Sequence, residues 1–329
     1  MLTSSRALLP IGIFDSGVGG LSVLRQLLHL LPHEDMVYLA DTAWSPYGER
    51  SSAEIEQRSL QITRYLIAQH HIKALVVACN TATAHAVQTL RQTWPELPLI
   101  GIEPALKPAT QISRTGHIGI MATRATVQSA KFQQLLHTWR GTCHVQVQAC
   151  NGLALAIENA LDGQTNPDGE TVQSLCQRYI DAMRPFAQVS AEESTPTSDA
   201  AEKASEKAPK SACAANQTQP AGIDTLVLGC THYPFAAHTI KQLVGKHVQL
   251  IEPGEPVARH TRRLLEQAQL LRNGPHMAQL TLLATARPQR LAQAAHIWLG
   301  LPQAKAQAAE VLIEQHYTTL CGKFHRQTT

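Results

Sequence analysis

Two short apolar runs, each ending at a cysteine, constrain the fold of this chain more than any other feature. Residues 75–78 (LVVA) lead into Cys79, and residues 226–229 (LVLG) lead into Cys230. Short runs rich in leucine and β-branched residues, bounded by polar positions, are typical of buried strands in a parallel sheet. Ligand sites in such sheets lie just beyond the carboxyl ends of the strands. The sequence therefore predicts an α/β fold that places one thiol at each of two equivalent strand ends.

A single cysteine after an apolar run is most simply a small buried hydrophobic residue. Here the setting occurs twice, because Asn80 and Thr81 follow the first cysteine and Thr231 and His232 follow the second. The repetition of a thiol beside hydrogen-bonding side chains favours a chemical role for both cysteines.

The length and charge of the chain narrow its class and its partners. At 329 residues the chain is long enough for two domains, each with its own core. Its 28 basic and 25 acidic residues are nearly balanced, which gives no reason to expect a nucleic-acid partner. The 16 histidines show no metal-ligand spacing, so we expect no metal site.

The cysteines indicate the redox environment. There are seven, an odd number, and none form a C-x-x-C pair. The sequence also shows no signal peptide and no apolar run of membrane-spanning length. We therefore expect reduced thiols, a cytoplasmic location and no membrane association.

A glycine-rich turn stands near the start of the chain. Residues 11–14 are predicted to form a strand, residues 15–20 (DSGVGG) a turn, and residues 21–31 a helix. Such a turn can hold an anion on its backbone N–H groups, but it matches neither a Walker motif nor G-x-G-x-x-G, so nucleotide binding is not favoured. Asp15 could cap the helix or take part in catalysis.

A second candidate turn follows the predicted strand 36–40. Pro46 and Gly48 enclose Tyr47, and this turn can present the Tyr47 hydroxyl and the adjoining N–H groups inward. The alternative is a surface turn anchored by an aromatic side chain.

The order of predicted elements repeats along the chain. Residues 116–123 repeat the strand-and-turn pattern of residues 10–16, and the Cys230 strand completes a second series. We therefore predict two similar, pseudo-twofold related lobes, each a mainly parallel sheet flanked by helices, with the active site in the cleft between them.

The predicted boundaries follow from this repeat and from local composition. Residues 188–222 contain hardly any large apolar residue and are expected to be a disordered insertion. The other predicted parts are a disordered leader at 1–10, a first lobe at 11–103 plus about 257–302, a second lobe at 104–256, and a C-terminal extension at 303–329 with a helix and a polar tail.

Four blocks resemble, in order, the signature blocks of the glutamate racemases, which belong to the cofactor-independent aspartate/glutamate racemase superfamily. The blocks are residues 15–21 (DSGVGGL), 40–42 with 46–48 (ADT and PYG), 78–82 (ACNTA) and 229–234 (GCTHYP). The resemblance extends from about residue 11 to about residue 302. Because four separate blocks occur in the same order, the resemblance is specific.

This resemblance implies interconversion of L- and D-glutamate, with D-glutamate supplied for bacterial peptidoglycan. It implies that Cys79 acts on the D-enantiomer and Cys230 on the L-enantiomer, each as thiolate or thiol depending on direction. It further implies that Asp15 assists Cys79 and His232 assists Cys230, while Glu158 matches a third acidic residue of the family. No pyridoxal phosphate or other cofactor is expected, because no lysine stands in a setting that suggests a Schiff base.

The substrate-binding residues implied by the resemblance combine hydroxyl, amide and backbone donors. Such groups can hold two carboxylates without bringing a strongly charged arginine or lysine next to the thiols. The expected set is Asp15, Ser16, Tyr47, Gly48, Asn80, Thr81, Thr123, Thr231 and His232.

Three other functions remain open at this stage. A racemase for aspartate or another acidic amino acid shares the two-cysteine chemistry. A cysteine hydrolase could use Cys230 with His232, although it leaves Cys79 without a role. A non-catalytic two-lobed amino-acid-binding protein also fits the fold. In each case the partner is a small molecule, and the sequence leaves a homodimer open.

Overall fold

The structure is a computed structural model that describes residues 2–187 and 222–311. The predicted insertion, apart from Gly222, lies outside the described residues. So do Met1 and residues 312–329 of the predicted tail.

The strands of the described residues form two sheets. In chain order they are β1 (Ile11–Asp15), β2 (Met36–Ala40), β3 (Ala74–Val77), β4 (Leu99–Gly101), β5 (His117–Ala122), β6 (His144–Ala149), β7 (Thr225–Leu228), β8 (Gln249–Ile251), β9 (Leu280–Ala284) and β10 (Ala306–Ala308). All of these strands pair in parallel.

Helices cover both sheets and supply most of the connections between strands. They are α1 (Leu2–Ala7), α2 (Leu21–Leu30), α3 (Ser52–His70), α4 (Asn80–Thr93), α5 (Leu106–Ile112), α6 (Arg124–Gln128), α7 (Ala130–Trp139), α8 (Leu153–Ala160), α9 (Val172–Asp181), α10 (Ala237–Val244), α11 (Gly254–Gln267) and α12 (Pro288–Leu299). Short 3₁₀ helices occupy Tyr47–Glu49 and Tyr233–Ala236.

The two sheets share one strand order. The first sheet runs β10-β9-β2-β1-β3-β4 and the second runs β6-β5-β7-β8. The four strands β2-β1-β3-β4 therefore correspond in order to β6-β5-β7-β8, and β3 and β7, which precede Cys79 and Cys230, hold equivalent places. The predicted α/β fold with two parallel sheets flanked by helices is confirmed. The pseudo-twofold relation and the lobe boundaries stay predictions.

Local signals explain where individual elements begin. The helix α3 starts at Ser52 because Ser51 and Glu54 form a capping box: the Ser51 Oγ accepts the Glu54 N–H at 3.3 Å, and Glu54 accepts the Ser51 N–H at 3.0 Å. The strands β1, β2, β3 and β7 are buried along their whole length, because helices cover both faces of a parallel sheet.

The first sheet carries apolar cores on both faces, and the lobes contact each other through an aromatic pair. Ile13 belongs to the core on one face and Phe14, the next residue, to the core on the other. On α12, Trp298 stacks on Phe235 with ring centroids 3.7 Å apart, and Phe235 also packs against the core of the second sheet. This pair joins α12 to the core of the second sheet.

The structure corrects the predicted disordered leader and shows a strand in the described part of the predicted C-terminal extension. Residues 2–7 form α1 rather than a disordered leader, because the Ala7 carbonyl accepts a hydrogen bond at 2.5 Å from the buried Lys73. The predicted helix of the extension is absent from its described part, residues 303–311, where β10 instead adds an edge strand beside β9. Both contacts are tertiary, so neither local pattern nor composition reveals them.

Candidate active site

One cavity between the lobes collects nearly all of the predicted site residues. Its volume is about 540 Å³, and both lobes contribute to its walls. The predicted residues that line it are Ser16, Tyr47, Gly48, Cys79, Asn80, Thr81, Thr123, Glu158, Cys230, Thr231 and His232. Asp15 is not part of the lining, because it is fully buried.

Cys79 follows β3 and caps the N-terminus of α4. Its sulfur accepts a hydrogen bond from the Ala82 N–H at 3.4 Å and lies 3.7 Å from the Ser16 Oγ. Burial, and after it the negative charge of Asp15, raise the pKa of the Cys79 thiol well above its usual range. Cys79 is therefore held in its neutral, proton-carrying form.

Asp15, at the end of β1, is surrounded by donors. Its carboxylate accepts hydrogen bonds from the Ser16 N–H at 2.7 Å, from the Gly20 N–H, and from the Thr231 hydroxyl at 3.2 Å. Burial nevertheless raises the pKa of Asp15 above its usual value, and contact with Cys79 and the charge of His232 oppose this shift only in part. A buried carboxyl with a raised pKa beside a thiol can share that thiol's proton.

Cys230 follows β7 and belongs to a chain of three side chains. Its sulfur lies 3.7 Å from His232 Nδ1, and His232 Nε2 lies 2.8 Å from Glu158 Oε1. Although burial disfavours the imidazolium, the hydrogen bonds to Cys230 and Glu158 raise the pKa of His232 well above its usual value. Burial likewise opposes ionisation of Glu158, yet the pKa of this carboxyl is lowered by His232 and by the Val18 N–H. Both partners of the pair are therefore charged.

The glycine-rich turn binds carboxylates of the protein itself. The Val18 N–H donates to Glu158 Oε1 at 3.2 Å, and the N–H groups of Ser16 and Gly20 donate to Asp15. A Cβ added to Gly19 would lie 2.4 Å from the His232 ring, so glycine is required for this close approach of the lobes. The anion-binding capacity that the sequence suggests is thus used inside the site.

Asn80 is the clearest candidate for contacting a substrate. Its side chain is buried and lines the cavity, yet among the residues that the structure describes neither its Nδ2 nor its Oδ1 has a hydrogen-bond partner. A buried amide without partners costs free energy, so these atoms are expected to bind a ligand.

Two threonines of the cavity lining, Thr81 and Thr123, contact each other through their hydroxyls. The Thr81 Oγ1 lies 3.1 Å from the Thr123 Oγ1 and 3.4 Å from the Thr126 Oγ1. Thr81 comes from the first lobe and Thr123 from the second, so their contact brings the lobes together beside Cys79.

The predicted orientation of Tyr47 was wrong. Its hydroxyl does not project into the cavity but donates to Asp41 Oδ2 at 2.6 Å, and Arg58 also binds Asp41 through two hydrogen bonds of 2.9 and 2.7 Å. The buried ion pair of Asp41 and Arg58 captures the hydroxyl, and the cavity is left with the ring and backbone of Tyr47.

Comparison with known proteins agrees with this geometry. Residues 11–183 match the family described as Asp/Glu/Hydantoin racemase. The glutamate racemase of Ectopseudomonas mendocina is 42% identical over 270 residues, which cover 82% of this chain and 87% of that protein. The chain belongs to the glutamate racemase family. Members interconvert L- and D-glutamate and supply D-glutamate for peptidoglycan.

Solved racemase structures share the fold. A glutamate racemase isoform of Bacillus anthracis superposes with a TM-score of 0.71 at 29% identity, covering 92% of this chain and 97% of that one. The Escherichia coli glutamate racemase, solved with L-glutamate and the activator UDP-MurNAc-ala, gives a TM-score of 0.67 at 26% identity, covering 88% and 95% of the two chains.

Several residues that line the cavity of this racemase were not predicted from the sequence. Arg50 and Arg124 lie there, so cations are present around the cleft despite the expectation of neutral donors alone. Cys150 is a third buried thiol of the lining, and burial, followed by the charge of Cys230, raises its pKa above its usual range. Its signal was visible, because Cys150 follows β6 as Cys79 and Cys230 follow β3 and β7.

The remaining predictions concern thiols, metals and membranes. Cys79, Cys150, Cys176 and Cys230 are free thiols, whereas Cys143 is disulfide-bonded, so the expectation of reduced thiols was wrong for that residue. Within residues 2–187 and 222–311, no group of His, Cys, Asp and Glu side chains could hold a metal ion. No helix in the described ranges is both long and apolar enough to cross a membrane.

Proposed function

We propose that this racemase transfers protons with two thiols, Cys79 and Cys230, that face the α-carbon of glutamate from opposite sides. The observation that carries the proposal is that the two cysteines come from different lobes, line one cavity and have separate acid–base partners. Removal of an α-proton from one face and return of a proton to the other requires this arrangement of two groups.

In the L-to-D direction, Cys230 is the base. A charged imidazole beside a thiol favours the thiolate, and His232 is charged because Glu158 binds its other nitrogen. When the thiolate takes the α-proton it becomes a neutral thiol. The charge of His232 then remains paired with the carboxylate of Glu158 inside the buried site.

Cys79 is the acid in the same direction. Its pKa is raised by burial and by Asp15, so it reaches the substrate as a thiol and can protonate the carbanion. In the reverse direction Cys79 must lose its proton, and Asp15, whose own pKa burial raises, can share it. The two directions therefore use different auxiliary groups.

Substrate binding is assigned to donors that the protein leaves free or places at the cavity surface. Asn80 offers an amide without partners, and Ser16, Thr81, Thr123 and Thr231 offer hydroxyls. Tyr47 and Gly48 line the same cavity, and we assign their backbone N–H groups to the substrate carboxylates as well. Preorganised donors of this kind stabilise charge that develops on a substrate carboxylate as the α-proton leaves.

The Escherichia coli relative binds L-glutamate, and we assign the same ligand to this cavity. We also propose a cytoplasmic location, because the mechanism needs free thiols at Cys79 and Cys230 and both are free, although Cys143 is disulfide-bonded. We further propose two lobes, at 11–103 with about 257–302 and at 104–256, and a homodimer.

Incubation of the purified protein with L-glutamate or L-aspartate, without added cofactor, tests the function. We expect the ellipticity of L-glutamate to decay to zero and that of L-aspartate to decay far more slowly. Decay with L-aspartate alone would replace the assignment by an aspartate racemase. Tight binding of glutamate without turnover would replace it by the binding-protein alternative.

A further inference from the structure

The first lobe holds Glu158, a residue of the second lobe, by both carboxylate oxygens. Oε1 accepts the Val18 N–H at 3.2 Å, and Oε2 lies 3.7 Å from Nη1 of Arg290. Oε1 also contacts His232 at 2.8 Å, which leads to Cys230. The orientation of this carboxylate, and through it that of the imidazole, therefore depends on contacts across the lobe interface.

Arg290 is itself fixed in place. It lies in the first turn of α12, is only 7% exposed, and meets the end of α8 with the rest of its guanidinium. Its Nε donates to Asp162 Oδ2 at 2.8 Å, and its Nη2 donates to Asn159 Oδ1 at 3.1 Å and lies 2.6 Å from Asp162 Oδ2. A planar guanidinium bound along two edges has little freedom to move.

The charges around Arg290 form a balanced group. Glu158 and Asp162 are the two carboxylates, and Arg290 and His232 are the two cations facing them. Loss of Arg290 leaves the buried Glu158 paired with His232 and removes the guanidinium from the half-buried Asp162. The pKa of Glu158 should then rise, because Arg290 is among the groups that lower it.

We propose that Arg290 is a positioning residue for the half-reaction of Cys230: it orients Glu158, which orients His232 against the thiol. The proposal rests on the proposed function, because it assumes that Cys230 exchanges the α-proton of L-glutamate. It also gives the last helix of the first lobe a part in catalysis carried out by the second lobe.

The rate alone cannot test this role. L- and D-glutamate have equal free energies in water, so any variant lowers kcat/KM by the same factor in both directions. The α-deuterium isotope effect does distinguish the two thiols. With α-deuterated L-glutamate only the Cys230 step is slowed by the isotope, and with α-deuterated D-glutamate only the Cys79 step is.

The experiment compares Arg290→Gln and Arg290→Lys with the wild type and with Arg259→Gln. Arg259, an exposed residue of α11 paired with Glu255, is the matched control. We expect Arg290→Gln to lower kcat/KM roughly tenfold, equivalent to about 1.4 kcal/mol. The isotope effect should rise with deuterated L-glutamate and fall towards unity with deuterated D-glutamate. Arg290→Lys should show smaller changes of the same sign, and Arg259→Gln none.

A purely structural role for Arg290 predicts a different result. Activity would then fall in proportion to the folded fraction, and neither isotope effect would move. That result, or a shift of the isotope effects in the opposite sense, overturns the proposal. If Arg290→Gln fails to fold, Asp162→Asn provides the second route, because it loosens Arg290 without removing it and should move the isotope effects in the same sense.

A double-mutant cycle completes the test. In a Glu158→Gln background, Arg290→Gln should change the isotope effects no further, because the contact through which it acts is already altered. An additive change would show that Arg290 acts by another route and would overturn the proposal. Absence of racemisation by the wild type would instead refute the proposed function, so the two failures are distinguishable.

Discussion

Cys79 and Cys230 occupy the same place in their sheets but lie in opposite electrostatic surroundings. Each follows the strand beside the first strand of its lobe, β3 in one sheet and β7 in the other. Beside Cys79 stands Asp15, a carboxyl whose pKa burial raises, and beside Cys230 stands His232, an imidazole whose pKa is raised by Cys230 and Glu158 against the effect of burial. One thiol therefore has a potential anion as its neighbour and the other a cation.

This difference shows how one architecture, used twice, can provide an acid and a base at the same time. The fold itself brings both thiols to one cavity, because each follows an equivalent strand. The residues beside each thiol then make the two settings different. Burial and the charge of Asp15 raise the pKa of Cys79. Beside Cys230, His232 lies 3.7 Å from the sulfur and is paired with Glu158 through its other ring nitrogen.

The largest expected effect comes from removing either thiol. Cys79→Ser and Cys230→Ser should each lower kcat/KM at least about 10⁴-fold, the upper range for loss of a positioned acid or base, because a hydroxyl is a far weaker base than a thiolate. Ellipticity measurements with L- and with D-glutamate check this. Near-normal activity in either variant would eliminate the two-thiol mechanism, provided that circular dichroism in the far ultraviolet shows an unchanged fold.

The neighbours of the thiols should separate the two half-reactions. Asp15→Asn and His232→Asn should each lower kcat/KM about 10²- to 10³-fold. His232→Asn should raise the α-deuterium isotope effect with L-glutamate, and Asp15→Asn should raise it with D-glutamate. If both variants shift the effects in the same sense, the assignment of one partner to each thiol is wrong.

A smaller change tests the contact between the lobes. A Cβ at position 19 lies 2.4 Å from the His232 ring, so Gly19→Ala should displace the imidazole. We expect a fall of roughly 10- to 10²-fold in kcat/KM, as for other small misplacements of a catalytic group. The isotope effects should move as in His232→Asn. An unaltered isotope effect with deuterated L-glutamate would mean that the turn does not set the position of His232.

The pairing of His232 beside Cys230 should make the stability of the protein depend on pH. The pKa of His232 is raised in the folded protein, so its pairing contributes stability that is complete below about pH 6.5, the usual histidine value, and is lost as the pH rises through the folded value. The difference in Tm between wild type and His232→Asn should therefore shrink from pH 6 to pH 10, at roughly 2–4 °C per kcal/mol. A difference that grows with pH would contradict a raised pKa.

The smallest effect is expected at Tyr47. Because its hydroxyl binds the ion-paired Asp41, Tyr47→Phe should cost about 1.5–3 kcal/mol of stability, the range for a hydrogen bond to a charged group, and leave the KM for glutamate unchanged within about twofold. Thermal unfolding and steady-state kinetics measure the two quantities. A large rise in KM with unchanged stability would indicate that the Tyr47 hydroxyl faces the substrate, as the sequence predicts.

Local patterns predicted the elements that carry the site. The apolar runs before Cys79 and Cys230 overlap β3 and β7, and the predicted strands at 11–14 and 36–40 lie in β1 and β2. Parallel sheets place the ends of neighbouring strands at one edge, so residues that follow the strands could be grouped from sequence alone.

Contacts between distant segments could not be predicted in this way. Arg290 and Glu158 meet only because the lobes close on each other, and neither residue has a local pattern that marks the contact. The orientation of Tyr47 depends on Asp41, which competes for its hydroxyl. The strand β10 pairs with β9 through backbone atoms, and amino-acid composition does not determine which backbone segments pair.

The central claim, that two thiols act from opposite faces, is tested most directly by racemisation of L-glutamate in D₂O. Early in the reaction, the D-glutamate formed and the L-glutamate left over are separated, and deuterium at the α-position of each is measured. Two thiols predict deuterium in the D-glutamate and α-hydrogen retained in the L-glutamate, because the proton removed by Cys230 is not the one delivered by Cys79. Equal early deuterium in both enantiomers would contradict the claim and indicate a single base.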